Sequence, residues 1–127
     1  MADLVEKDLS YKITGILFNV YNNLGGGYQE KYYQRAVATT LASENIKFTE
    51  QVVVPLKYEE ASIGRYFLDF LVEDRIILEL KAAPQFYSRD IKQVLAYLKA
   101  ADISLGILAS FTKRGLQLKR ILQGSKN

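Results

Sequence analysis

Gly64-Arg65-Tyr66-Phe67-Leu68-Asp69-Phe70-Leu71-Val72, then Glu73-Asp74-Arg75, then Ile76-Ile77-Leu78-Glu79-Leu80-Lys81: this stretch decides how the chain folds. It reads as two strands joined by a short polar connection. Asp69, Glu79 and Lys81 stand where a folding chain normally places only apolar side chains. Burying an ionised carboxylate costs several kcal/mol even after relaxation, so the acids demand compensation. Side chains alternate faces along a strand, which puts Glu79 and Lys81 on one face. A three-residue connection, Glu73-Asp74-Arg75, pairs Val72 with Ile76 and Asp69 with Glu79. A two-residue loop would pair Asp69 with Leu78 and send Glu79 to the other face. The first register is preferred, because the second strands one acid on each side of the sheet. Neither Glu73-Asp74 nor Asp74-Arg75 contains the Gly or Asn that primed turns favour. Directly opposed residues have Cβ atoms about 5 Å apart, a gap that a Mg²⁺ ion with oxygens at about 2.1 Å can bridge.

The composition narrows the chemistry. With 127 residues, 49% apolar and 24% charged, the chain is expected to form a single domain over 1–127. It has no cysteine and no histidine, which removes thiolate and imidazole catalysis, disulfides and the usual zinc ligands. A metal here must be held by oxygens, which favours Mg²⁺, Mn²⁺ or Ca²⁺. No apolar run approaches a membrane span and no N-terminal signal pattern stands out, so the expected location is cytoplasmic, with no membrane partner. The net charge of +3 suits a polyanionic partner. Lys113, Arg114, Lys119, Arg120 and Lys126 crowd the C-terminal segment, and Arg65, Arg75, Lys81, Arg89 and Lys92 lie near the acids. A solvated basic surface accounts equally well for any one of them.

Apolar periodicity predicts a helix from about Asp3 to Leu24, stopped by Gly25-Gly26-Gly27. A second helix runs from near Gly27 to about Glu44, with Tyr32, Ala36, Val37, Thr40 and Leu41 as its apolar face. Strands are expected over Ile46–Tyr58, Gly64–Val72 and Ile76–Lys81. Ser88 would cap a helix from Arg89 to Ala101 whose core face is Ile91, Val94, Leu95 and Leu98. Leu105–Ala109 reads as a buried strand; Gly115–Gln123 reads as a last strand or a short helix. The fold class is therefore α/β (α+β), a mixed sheet flanked by helices in the order ααβββαβ with a terminal element. The three glycines follow a helix and lack a Gly-Lys-Ser/Thr ending, so they read as a turn rather than a phosphate loop.

Two further features align with the acidic hairpin. Gln93 and Tyr97 are four residues apart and share a helix face, and Glu30 sits in the first turn of the second helix, three residues before Tyr33. Each is weak alone. The ordered set is far more specific: Glu on a helix, Asp in a strand, Glu-x-Lys in the next strand, then Gln-x-x-x-Tyr on a helix. It resembles the PD-(D/E)xK nuclease superfamily, and within it the RecB-like branch and the group named for a GxxExxY motif, here Gly27-Tyr28-Gln29-Glu30-Lys31-Tyr32-Tyr33. The resemblance runs from about Leu9 to Leu122. It departs from the pattern in lacking the motif's proline, since Leu68 precedes Asp69.

That resemblance implies a restriction-endonuclease-like core and a metal-dependent nuclease. Asp69, Glu79 and the Leu80 backbone carbonyl would ligate Mg²⁺, or Mn²⁺, with Glu30 as a further ligand or as an orienter of a metal-bound water. Lys81 would position the attacking water and stabilise charge on the phosphate, while Gln93 and Tyr97 would orient substrate and the groups around the metal. The partner would be nucleic acid, with DNA favoured over RNA. The nine tyrosines are compatible with a homodimer face, with base stacking, or with an ordinary core. Two other readings stay open from the residues: a non-catalytic nucleic-acid- or protein-binding module, and a structural network in which Lys81 neutralises Asp69 and Glu79.

Overall fold

The hairpin has the three-residue register. In the computed structural model, which describes residues 5–123, Val72 pairs with Ile76, Leu71 with Ile77 and Phe70 with Leu78, all antiparallel. Glu73 and Asp74 in the connection have φ of 52° and 56°, a left-handed backbone that costs any residue but glycine. A neighbouring segment holds Glu73 there. The Glu73 N–H donates to the Lys47 carbonyl at 2.9 Å, and its carboxylate accepts from the Lys47 N–H at 2.9 Å.

The elements are α1 (Lys7–Leu24), α2 (Glu30–Ser43), β1 (Phe48–Tyr58), β2 (Ala61–Val72), β3 (Ile76–Lys81), α3 (Ser88–Ala101), β4 (Leu105–Thr112) and β5 (Gly115–Leu122). They build a five-stranded sheet in the order β1-β2-β3-β4-β5. Every pair is antiparallel except β3–β4, which are parallel. A parallel pair needs a long crossover, and α3 supplies it. The expected mixed sheet with helices on its faces is the observed one, and the terminal element is a strand. The expected start of α1 at Asp3 and the basic Lys126 lie outside the described residues.

Two apolar layers sandwich the sheet. On one face Ile13 and Leu17 of α1 and Val37 and Leu41 of α2 pack on Phe70, Val72, Leu78, Leu80 and Ile107. On the other, Val94, Tyr97 and Leu98 of α3 pack on Leu68, Ile77 and Leu108. β4 is buried along its whole length, as a central strand covered on both faces should be. Gly106 lets α3 come close: a Cβ there would lie 2.6 Å from Val94 Cγ1.

The helix faces differ in detail from the sequence expectation. On α2 the buried aromatic is Tyr33, whereas Tyr32 is 43% exposed. The helix starts at Glu30, so its inward stripe runs Tyr33-Val37-Leu41 at four-residue spacing. On α3 Tyr97 is buried and Leu95 is 37% exposed, so the tyrosine rather than the leucine completes the core face. Ser88 is the first helical residue, and Tyr87 occupies the N-cap.

Candidate active site

The β2–β3 ladder changes character one step beyond Phe70–Leu78. In continued register Asp69 stands opposite Glu79, but side chains replace the backbone there. The Asp69 N–H donates to Glu79 Oε1 at 2.6 Å, and the Leu80 N–H donates to Asp69 Oδ2 at 2.8 Å. On the other flank, β1 pairs Glu50 with Phe70 and Val52 with Leu68 while skipping Gln51, whose φ is 51°. Asp69 thus sits at a break in both of its ladders, where backbone partners give way to polar side chains. Gln34 of α2 reaches this break and donates to Asp69 Oδ1 at 3.0 Å.

Both acids are deeply buried, Asp69 at 8% exposure and Glu79 at 4%. Burial pushes the Glu79 carboxyl up to about 8, reinforced by the charge of Asp69 and opposed by the Asp69 N–H and by Lys81. Burial also raises Asp69, against the lowering effect of the Leu80 N–H, Lys81, Gln51 and Gln34. Glu30, half-buried at the start of α2, is raised by burial and by Asp69 and Asp90, and lowered by Lys81. These mutual effects place Glu30, Asp69, Glu79 and Lys81 in one electrostatic field.

Among the described residues Lys81 makes no ion pair with Asp69 or Glu79, although its charge lowers both carboxyls. Its ammonium lies 3.9 Å from Asp90 Oδ1, and among the described residues no cation comes within 4.0 Å of Asp69 or Glu79. Asp90 is held in turn by the Tyr87 N–H, 3.2 Å from its Oδ2. The structural network expected as an alternative, Lys81 shared between Asp69 and Glu79, is therefore not what forms. Buried acids with raised pKa values and no ion partner fit a divalent cation, and the donors are the oxygens a hard cation requires. Among the described residues, acidic side chains do not converge in threes to form a closed cage. The hydrogen-bonded N–H groups orient the two carboxylates without exhausting them, since each oxygen can accept two bonds.

Tyr97 joins the cluster: burial, then the charges of Glu79 and Asp69, push its hydroxyl well above the ordinary tyrosine range. Its ring also meets Tyr66 edge-on at 5.0 Å. Gln93 lies one turn earlier on α3, partly exposed, and among the described residues makes no hydrogen bond to the acids.

Three contributors escaped the sequence reading. Gln34 was legible in principle, being four residues after Glu30 and so on the same helix face. Asp90 carried only the ordinary signal of an acid in a first helical turn. Gln51 had no signal, because its role depends on the irregular backbone opposite Asp69.

The glycine turn gives the segment from Gly25 to Tyr33 its shape. A Cβ on Gly26 would lie 2.6 Å from the Thr112 carbonyl oxygen. The Tyr33 hydroxyl donates to the Gly25 carbonyl at 2.6 Å, and its ring stacks on Phe111 with centroids 4.2 Å apart. That anchor fixes the start of α2, and with it Glu30.

Comparison with known proteins bears on the family and the fold. The family model of the PD-(D/E)XK nuclease superfamily matches residues 7–121. No curated protein sequence matches the chain. Solved structures that share the fold include two with these alignments. The alkaline exonuclease LHK-Exo from Laribacter hongkongensis aligns with a TM-score of 0.55 at 15% identity, over 74% of this chain and 55% of its own. The crystal structure of SSO0001 aligns with a TM-score of 0.60 at 14% identity, over 76% of this chain and 50% of its own. The chain thus spans about half the length of each. The restriction-endonuclease-like core expected from sequence is the fold observed.

Proposed function

Since the chain belongs to the PD-(D/E)XK nuclease superfamily, we propose that it is a Mg²⁺-dependent nuclease that hydrolyses phosphodiester bonds in DNA. One observation carries this reading: Asp69 and Glu79 are buried side by side with no ion partner within 4.0 Å among the described residues. A divalent metal held by Asp69, Glu79 and the Leu80 carbonyl would supply the Lewis acid and the water activation that a chain without histidine lacks.

The chain's own groups have separate tasks. The N–H groups of Asp69 and Leu80 hold the two carboxylates, and the Gln34 amide holds the second oxygen of Asp69. Lys81, drawn toward Asp90, keeps its ammonium beside the acids rather than on them, where it can orient an attacking water and offset charge on the phosphate. Glu30 reaches the same field from α2 and would either ligate the metal or orient a metal-bound water. Tyr97 and Gln93 would position the substrate from α3. The anchored Gly27–Tyr33 segment supports placement in the GxxExxY group, and the Gln93-Tyr97 pair supports the RecB-like branch.

The test is cleavage of single-stranded, duplex, flap and four-way-junction DNA, and of RNA, with Mg²⁺, Mn²⁺ or EDTA, beside Lys81→Ala. Metal-dependent cutting that vanishes in the variant supports the reading and names the substrate. Folded protein that cuts none of them would favour a non-catalytic binding module instead.

A further inference from the structure

Next to the acidic cluster lies a cleft of about 600 Å³ that the proposed catalysis does not use. Its walls are the glycine turn with Tyr28, the β3–α3 loop over Ala82–Gln85, and the β4–β5 turn with Lys113 and Arg114. We propose that this cleft holds one unpaired nucleotide of the substrate strand, beside the bond that is cut. The base would lie against the Tyr28 ring and a phosphate against Lys113 and Arg114. The inference rests on the nuclease reading and names the form of its substrate.

Position comes first. The cleft opens at the carboxyl ends of β3 and β4, the parallel pair, where open sheets of mixed or parallel type collect their ligands. It adjoins the acidic site at two covalent seams. Lys81 passes directly to Ala82, and Tyr28 stands two residues before Glu30.

Charge separates the two compartments. No acidic residue lines the cleft, and its two charged groups are Lys113 and Arg114. Both are exposed, and among the described residues neither makes an ion pair. A phosphate next to the scissile one would be repelled by Glu30, Asp69 and Glu79, and would be attracted here.

The walls are also built in advance. The Tyr21 hydroxyl donates to the Thr112 carbonyl at 2.6 Å, and Gly26 packs against the same carbonyl. The Tyr28 ring is 48% exposed. Tyr32 and Tyr33 meet it at steep angles, with centroids 6.4 and 6.0 Å away. An aromatic ring with an exposed face is a stacking platform, and only a base freed from its partner can use one. Lys31 and Arg35 over the Tyr32 ring extend the basic border along α2.

The test is fluorescence anisotropy with a labelled single-stranded DNA decamer and the matching duplex, with Ca²⁺ in place of Mg²⁺. Wild type is compared with Tyr28→Ala, Tyr28→Phe and the double variant Lys113→Ala/Arg114→Ala, each checked by thermal melting. Single-strand affinity should fall about tenfold in Tyr28→Ala and stay near wild type in Tyr28→Phe. The double variant should also fall about tenfold, with a shallower salt dependence. Duplex affinity should change much less in all three. Unchanged single-strand binding in both Tyr28→Ala and the double variant overturns the inference, as does an equal loss on duplex, or a wild type that does not bind single strands. Cleavage by the same proteins reports separately: cutting that depends on Lys81 but not on Tyr28 keeps the nuclease and sinks the cleft, and Tyr28-dependent binding without cutting does the reverse.

Discussion

The two ends of the β2–β3 hairpin obey opposite rules. At the turn end, Val72–Ile76, Leu71–Ile77 and Phe70–Leu78 pair backbone to backbone, and apolar side chains fill both faces. One rung further on, carboxylates take the N–H groups, and burial works against the charged state of both acids. The first end stabilises the fold, while the second weakens it to hold charge where water is scarce. That contrast is expected of a functional site carried by a rigid scaffold.

Removing the charged groups should therefore cost function and spare the fold. Asp69→Asn, Glu79→Gln and Lys81→Ala are each expected to lower cleavage at least a hundredfold, in keeping with the loss of a preorganised charged group from a catalytic site. Thermal melting should show Glu79→Gln as stable as wild type or more so. A folded Asp69→Asn protein that cuts at the wild-type rate would erase the contrast.

At the turn end the roles reverse. Leu78→Ala empties a fully buried position and should cost about 2–5 kcal/mol in urea denaturation. The surviving folded fraction should still cut. Retained stability would mean that the core repacks around the hairpin.

The pH dependence separates the ends further. The Glu79 carboxyl titrates near 8 in the fold, against an ordinary 4.5 when unfolded. The folded state thus binds the proton more tightly, and stability must fall as pH rises from about 4.5 to about 8. Melting of metal-free protein should show this decline, and Glu79→Gln should make it shallower, leaving the smaller part that the raised Asp69 and Glu30 carboxyls contribute. Millimolar Mg²⁺ should raise the midpoint more at pH 8 than at pH 5 through preferential binding to the folded state. A rise of stability across that range would contradict the burial argument.

Smaller effects should follow from the outer supports. Gln34→Ala removes one donor from Asp69 and should reduce cleavage about tenfold with little change in melting. The exposed Arg75–Glu6 pair, at 2.6 Å, has a short distance but little burial. Arg75→Ala should leave the denaturation midpoint nearly unchanged. A large loss there would show that the hairpin turn depends on its tie to the residues just before α1.

Much of this was legible in the chain. The hairpin register followed from the length of its turn and the need to keep two acids together, and Val72–Ile76 pairing bears it out. Strand β3 kept its expected bounds because its apolar run ends abruptly at Ala82-Ala83-Pro84. The faces of α2 and α3 were harder to read. Tyr32 and Tyr33 are both aromatic neighbours, and periodicity cannot choose between them until the helix start is fixed by the glycine turn. Gln93 and Tyr97 share a helix face by spacing, yet only Tyr97 is buried, and its ring meets Tyr66.

The sequence by itself determined the element order, the hairpin register and the presence of two acids within apolar strand runs, because those depend on side-chain period, turn length and the cost of burying charge. Tertiary structure alone decided which groups surround the acids. Lys81 could have faced Asp69 or Glu79, and it faces Asp90 because the crossover returns α3 over the end of β3. Gln34 reaches Asp69 from an element 35 residues away in sequence, and the cleft joins three separate turns. Local patterns fix what a residue prefers, but its neighbours in space are set only when distant segments close on one another.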